Sequence, residues 1–223
     1  MKQMKLIGLA IFAILALGTM SAASAIAEEG FLPKQATATV LGKTTTFANA
    51  TQSTTCGELM SSTITMTTDE HGSATLWWLK CTAGGGLFSV NSLGDKAGEI
   101  LAKVLFLVCL DPKDINDKLL QEFGLVIETD EPVHLELPAA GLLLVISGRV
   151  IGTIATIGTT KLFVIQFSGS AGSQTARSCT KGTESKQDTL TVEENESKKP
   201  ANFSLNIEGA LLQFPNAVEP MDS

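Results

Sequence analysis

The chain of 223 residues contains no tyrosine, two histidines, two tryptophans and four cysteines. Each scarcity narrows the chemistry available. There is no H-E-x-x-H and no Cys-x-x-Cys pair, so the zinc sites defined by close ligand spacing are absent. Positive charge is also short: 16 Lys+Arg face 23 Asp+Glu, for a net charge of −7. An acidic chain repels phosphate backbones and anionic membrane surfaces, which argues against nucleic acid as a partner. The nearest approach to a basic run, Lys198–Lys199, sits beside Glu193, Glu194 and Glu196 and reads as a solvated loop.

The one long apolar run is at the N-terminus. Lys2 and Lys5 precede an unbroken apolar stretch, Leu6–Leu17, followed by Ala-x-Ala sites ending at Ala25 and Ala27. This is the three-part pattern of a secretory signal peptide over residues 1–27, too short in its apolar part for a transmembrane helix. Cleavage after Ala25 or Ala27 leaves a single exported domain, residues 28–223 in the second case. It also removes two lysines, so the net charge falls to about −9. No later run is long enough to cross a bilayer as a helix, so no integral membrane segment is expected once the signal is removed. The expected location is extracellular or at the cell surface.

The rest of the chain is patterned for strands. Thr and Val are frequent, polar and apolar residues alternate, and Gly, Asn, Asp and Pro punctuate. Residues 36–49 read as two strands joined at Gly42. Residues 62–81 read as a hairpin turning near Asp69–Gly72. In "EPVHLELP" Val133, Leu135 and Leu137 share one face, with His134 and Glu136 on the other. In "NFSLNIEGALLQF" Phe203, Leu205 and Ile207 oppose Ser204, Asn206 and Glu208. Ile100–Leu110, Gly141–Ile146 and Lys161–Phe167 carry apolar residues on both faces and are expected to be buried on both sides or to line an apolar cavity. A short helix is expected over about 112–123, with Asp111 as N-cap, Pro112 in its first turn and Gly124 past its end. Ser168–Asp188 reads as an exposed loop pinned by Cys179. These elements predict a mainly β fold, an antiparallel β-sandwich or distorted barrel with one short helix.

Cys56, Cys81, Cys109 and Cys179 form an even set in a chain expected to be exported, which predicts two disulfides. Three pairings are open. The pairing favoured here is Cys56–Cys81 with Cys109–Cys179.

The search for chemistry returns bland readings. Asp69-Glu70-His71 reads as a polar turn rather than a metal cluster, because adjacent residues do not converge on one ion. His134 with Glu136 on its face could act as an oriented base, but reads as the wet side of a strand. Asp111, Asp114 and Asp117 lack the spacing of a calcium loop. Gly169–Ser173, "GSAGS", is not the G-x-S-x-G nucleophile elbow, and Ala83–Leu87, "AGGGL", lacks the Lys-Ser/Thr of a phosphate loop. Asn49, Asn195 and Asn202 open N-x-S/T sequons to which no role is given. No catalytic, cofactor-binding or metal-ligating residue is therefore assigned. A dispersed triad or carboxylate pair stays open, since geometry and not order defines it.

The tryptophans are adjacent, in "TLWWLKC". In a regular strand Trp77, Leu79 and Cys81 share a face that a bridging cysteine turns inward. Trp77 is thus expected in the core. Trp78 is expected outward over the stem of Lys80, as the one possible ligand contact.

Several stretches together carry a resemblance: "WWLKC", "GEILAKVLFLVCL", "FGLVIETDEPVHLELP", "SGRVIGTI" (Ser147–Ile154), "GSAGSQ" and the closing "FSLNIEGALLQFPNAVEPMDS". With the export signal they resemble an uncharacterised secreted β-rich protein family numerous in some soil actinobacteria. The resemblance implies export and a β-rich fold and carries over no catalytic residues. The function expected is that of an exported extracellular structural or binding protein, non-enzymatic and of unknown ligand, with a glycan or an apolar molecule left open. The alternatives are a secreted hydrolase with dispersed residues and a carrier of an apolar small molecule.

Overall fold

The computed structural model describes residues 30–32, 37–66, 71–114, 116, 118–155, 160–179, 189–195 and 200–221. The expected signal peptide lies outside them. The regular elements among the described residues are strands, apart from one 3-10 turn at Pro138–Ala140. Among them no helix is long and apolar enough to cross a membrane.

The strands close a ring. His71–Leu79 pairs with Glu99–Leu110, which pairs with Phe123–Thr129. That strand pairs with the second half of Leu142–Ile154, which pairs with Thr160–Phe167. Next come Ala201–Met221 and Thr37–Gly42. Thr37–Gly42 pairs with Glu58–Ser61 and Ile64–Met66, and both return to His71–Leu79. Every step is antiparallel. The result is a closed barrel, the distorted barrel that the strand pattern allowed.

A second sheet grows from two of the barrel strands. It contains Asn91–Ser92, Val133–Leu137, the first half of Leu142–Ile154, Leu190–Glu194 and the first residues of Ala201–Met221. Leu142–Ile154 changes sheet at Gly148, which pairs with Leu190, while the next residue, Arg149, pairs with Glu128 of the barrel. Gly148 has φ +106° and a Cβ there would lie 2.7 Å from the Thr189 carbonyl oxygen. Only glycine fits such a bend. Four residues on, a Cβ on Gly152 would meet the Phe167 ring at 2.7 Å. Both glycines of "SGRVIGTI" are thus architectural.

One core fills the barrel and the space under the second sheet, with Phe106, Phe163, Phe167, Phe203 and Phe214 fully buried. A smaller cluster, Leu107, Cys109, Val126, Ile151, Ala176 and Cys179, lies on the opposite face of the same strands. Leu120 packs against it, and Ala176 and Cys179 reach it from the segment after Phe167. This is why residues 106–110, 123–127 and 150–154 are buried without alternation.

Two expectations about two-sided burial are corrected. Leu142–Ile146 and Thr160–Phe167 alternate, and Leu162 and Val164 stand 41% and 38% exposed on the outer wall. The helix at 112–123 is also absent from the described residues there. The Asp114 carboxylate accepts the backbone N–H groups of Asn116 (2.8 Å) and Lys118 (3.1 Å), a local turn that competes with a helix. Asp111 takes φ +47° instead of capping, and Phe123 is drawn into the barrel opposite Leu110. The loop expected over 168–188 is more ordered than a surface loop as far as Cys179. Gly169–Ser170 and Ser173–Gln174 form a hairpin, and the buried Gln174 side chain bonds the backbone of Leu205 at both its oxygen and its nitrogen. Ser204, expected on the wet face, is buried beneath this hairpin, and its hydroxyl donates to Ala48.

The hairpin of residues 62–81 is present, with Thr65 opposite Ser73; its turn, including Asp69 and Glu70, lies outside the described residues. Both disulfides form with the favoured pairing, Cys56–Cys81 and Cys109–Cys179.

Two outcomes are expected in urea unfolding. The bridges close sequence separations of 25 and 70 residues. Loop entropy then gives about 3.5 and about 4.4 kcal/mol, so deleting Cys109–Cys179 as a double alanine costs about 1 kcal/mol more than deleting Cys56–Cys81. Gly148→Ala is expected to cost about 3 kcal/mol, because it meets both a strained φ and a backbone oxygen. Gly85→Ala, with φ +70° and no neighbour within 4 Å, costs about 1 kcal/mol.

Candidate functional site

The two tryptophans exchange the faces expected of them. Leu76 and Trp78 point into the core, and Trp77 is half-buried on the outer wall. The cause is Lys80, which adopts φ +58°. This left-handed residue breaks the strand alternation, so Cys81 returns to the interior although it shares parity with Trp77. Nothing in the residue type of Lys80 signals it, since left-handed backbone favours glycine and asparagine. The Lys80 amine pairs with Glu58 at the surface.

Inside, the Trp78 ring meets Phe47 edge-on at 5.2 Å, and Phe47 stacks on Phe203 at 6.2 Å. The Trp78 indole N–H is buried without a hydrogen-bond partner among the described residues. Trp78 borders a cavity of about 30 Å³ between barrel and second sheet, lined also by Ile100, Ile127, Leu135, Val150 and Leu205. Such a space is about the size of one water molecule, and its wall is apolar. Ligand pockets run to about 300 Å³ and more. The possible ligand contact at Trp78 is therefore an interior position.

A second place gathers chemistry-bearing residues. An open groove of about 250 Å³ is lined by Ser92, Lys103, Glu131 and His134. His134 is exposed, on the wet face of Val133–Leu137 as its alternation requires. The other groups are committed. The Ser92 hydroxyl accepts the Leu101 N–H at 2.7 Å and faces the Leu101 carbonyl at 3.3 Å. Glu131 pairs with Lys103 at 3.0 Å and, through that hydrogen bond, holds the lysine pKa above its usual value. The groove thus brings serine, histidine and carboxylate to one rim without directing the serine proton to the histidine.

Hydrogen bonds from the backbone of Asn116 and then Lys118 hold the Asp114 carboxyl below its ordinary range, as a turn residue. Asp117 lies outside the described residues, and of His71 only its backbone place at the start of a strand is described. Among the described residues no group of His, Cys, Asp or Glu converges as metal ligands do. Asn49 of the first sequon accepts the N–H groups of Thr51 and Gln52 and so makes a turn.

The outer surface is where apolar residues collect. Direct cross-strand partners form one lateral row: Val164, Leu211, Leu41, Met60, Trp77 and Leu101. All are at least partly exposed. A separate apolar point is the short hairpin of Thr82–Ala83 and Phe88–Ser89, whose tip carries Leu87, 78% exposed, beside Phe88, 40% exposed. Sequence reasoning tested this glycine run only against a phosphate loop. The readable signal was the Leu-Phe pair that follows the glycines.

No family model matches the chain, and neither the curated proteins nor the solved structures give a match.

The faces of the two tryptophans can be checked by fluorescence, because the chain has no tyrosine and no other tryptophan. Trp77→Phe is expected to leave an emission that iodide barely quenches, and Trp78→Phe one that it quenches strongly. Trp78→Ala is expected to cost about 3–5 kcal/mol and Trp77→Ala about 1 kcal/mol.

Proposed function

We propose that the protein is an exported, non-enzymatic binding protein that works through its outer surface. The observation that carries this reading is the contrast between inside and outside. The interior beside Trp78 offers about 30 Å³, while leucine, methionine, valine and phenylalanine side chains stand exposed on the wall and the hairpin tip. Two disulfides suit an oxidising extracellular setting, in keeping with the expected export signal. The resemblance to secreted β-rich proteins points the same way. A carrier of an apolar molecule needs a chamber that this core does not offer beside Trp78. A hydrolase built on His134 needs a base buried beside its nucleophile, and His134 is exposed with Ser92 bonded to the backbone.

The test measures turnover and interior binding on the purified protein. Ester, peptide and glycoside substrates are expected to show no hydrolysis that His134→Ala abolishes. Palmitate is expected to leave the melting temperature within about 1 °C, since ligand binding to the native state raises it. Turnover dependent on His134, or a palmitate shift of several degrees, overturns the reading.

A further inference from the structure

We propose that the Ala83–Phe88 hairpin tip is a lipid-docking point that inserts Leu87 and Phe88 into the interface of a zwitterionic bilayer. The inference rests on the surface-binding reading above and names its partner.

Cys81–Gly94, "CTAGGGLFSVNSLG", carries no charged residue, and neither does Leu137–Gly148, "LPAAGLLLVISG". The fold brings the two together, because Phe88–Ser89 lies beside the 3-10 turn Pro138–Ala140. Around the tip, Leu87, Phe88, Pro138, Ala139 and Ala140 are exposed and uncharged. Charge resumes at Glu136, which accepts the Gly94 N–H at 3.3 Å, and at Glu194 and Glu193, which pair with Leu144 and Val145.

The shape of the tip favours lipid over a protein groove. Gly84, Gly85 and Gly86 have φ of +61°, +70° and +95°. No atom lies within 4 Å of a Cβ built on Gly85 or Gly86, so the tip stands clear of the body. Phe88 is held, because a Cβ on Gly84 would lie 3.0 Å from its ring. A convex knob with a leucine at its apex needs no shaped receptor in a deformable lipid phase. Its base is rigid: Thr82 and Ala83 pair with Thr55 and Thr54, and Cys81 is bridged to Cys56. Little conformational freedom is lost when the tip docks.

Charge selects the lipid. A chain with net charge −7 is repelled by anionic headgroups, while an uncharged tip meets no such barrier at phosphatidylcholine. The apolar area at the tip is small, so binding is shallow and reversible, as for a single weak anchor.

The test is co-sedimentation of the purified protein with phosphatidylcholine vesicles. The wild type is expected to partition, and Leu87→Asp to lower the partition coefficient by about tenfold or more. Gln166→Asp, at a polar outward position of the barrel, leaves it unchanged. Leu87→Trp keeps binding, and its added emission shifts to the blue and is quenched by brominated phosphatidylcholine. The proposal is overturned if the wild type stays in the supernatant, or if Leu87→Asp sediments as well as the wild type. Binding confined to phosphatidylglycerol vesicles overturns it too, as does capture of a protein by the tip without vesicle binding. These failures leave the surface-binding reading intact, which only His134-dependent turnover or a palmitate shift removes.

Discussion

The closure of the antiparallel ladder on itself is the constraint on which the rest of the structure depends. An open sheet of this many strands would leave an edge of unpaired backbone groups, and closure removes it. Closure also fixes what can be inside. A small barrel has an interior just wide enough for its own side chains, and here phenylalanine, leucine and isoleucine fill it. The interior beside Trp78 leaves only a small apolar space.

Closure requires two strands to serve two sheets, and that requirement explains the most distinctive piece of sequence. In "SGRVIGTI" Gly148 bends the strand from the second sheet into the barrel, and Gly152 admits the Phe167 ring. The hairpin of "GSAGSQ" does related work, with the buried Gln174 side chain bonding the long C-terminal strand. The bridges complete the arrangement at places where strands alone do not hold the chain. Cys109–Cys179 fastens the covering segment over the outer cluster, and Cys56–Cys81 fastens the base of the glycine hairpin. Motifs that would invite a search for catalysis are here devices of architecture.

The same economy shapes the surface. Two apolar features of the outer surface are ordered. One is a single row of apolar partners around the wall. The other is a convex tip whose own segment, Cys81–Gly94, carries no charged residue. Serine, lysine, glutamate and histidine do meet in a groove, but their hydrogen bonds serve the backbone and one another. A binding role at the surface follows more directly from this distribution than a reaction does.

The sequence by itself determined the β class, the inward faces of strands such as Val133–Leu137 and the exposed place of His134, while the choice among three cysteine pairings fell to the fold. Each depends on residue type and a period of two, which are local properties. Tertiary structure decided the rest. Whether Leu162 and Val164 are covered depends on which strands other segments cross, and among the described residues no covering segment reaches them. Residues 112–123 have the composition of a helix, but Phe123 gains more by pairing in the barrel and Asp114 satisfies a tighter turn. The tryptophan faces turn on one left-handed residue, Lys80, whose conformation is imposed by the bridge and the strand pairs around it. Backbone strain of that kind is fixed by the closed fold, and no side-chain pattern announces it.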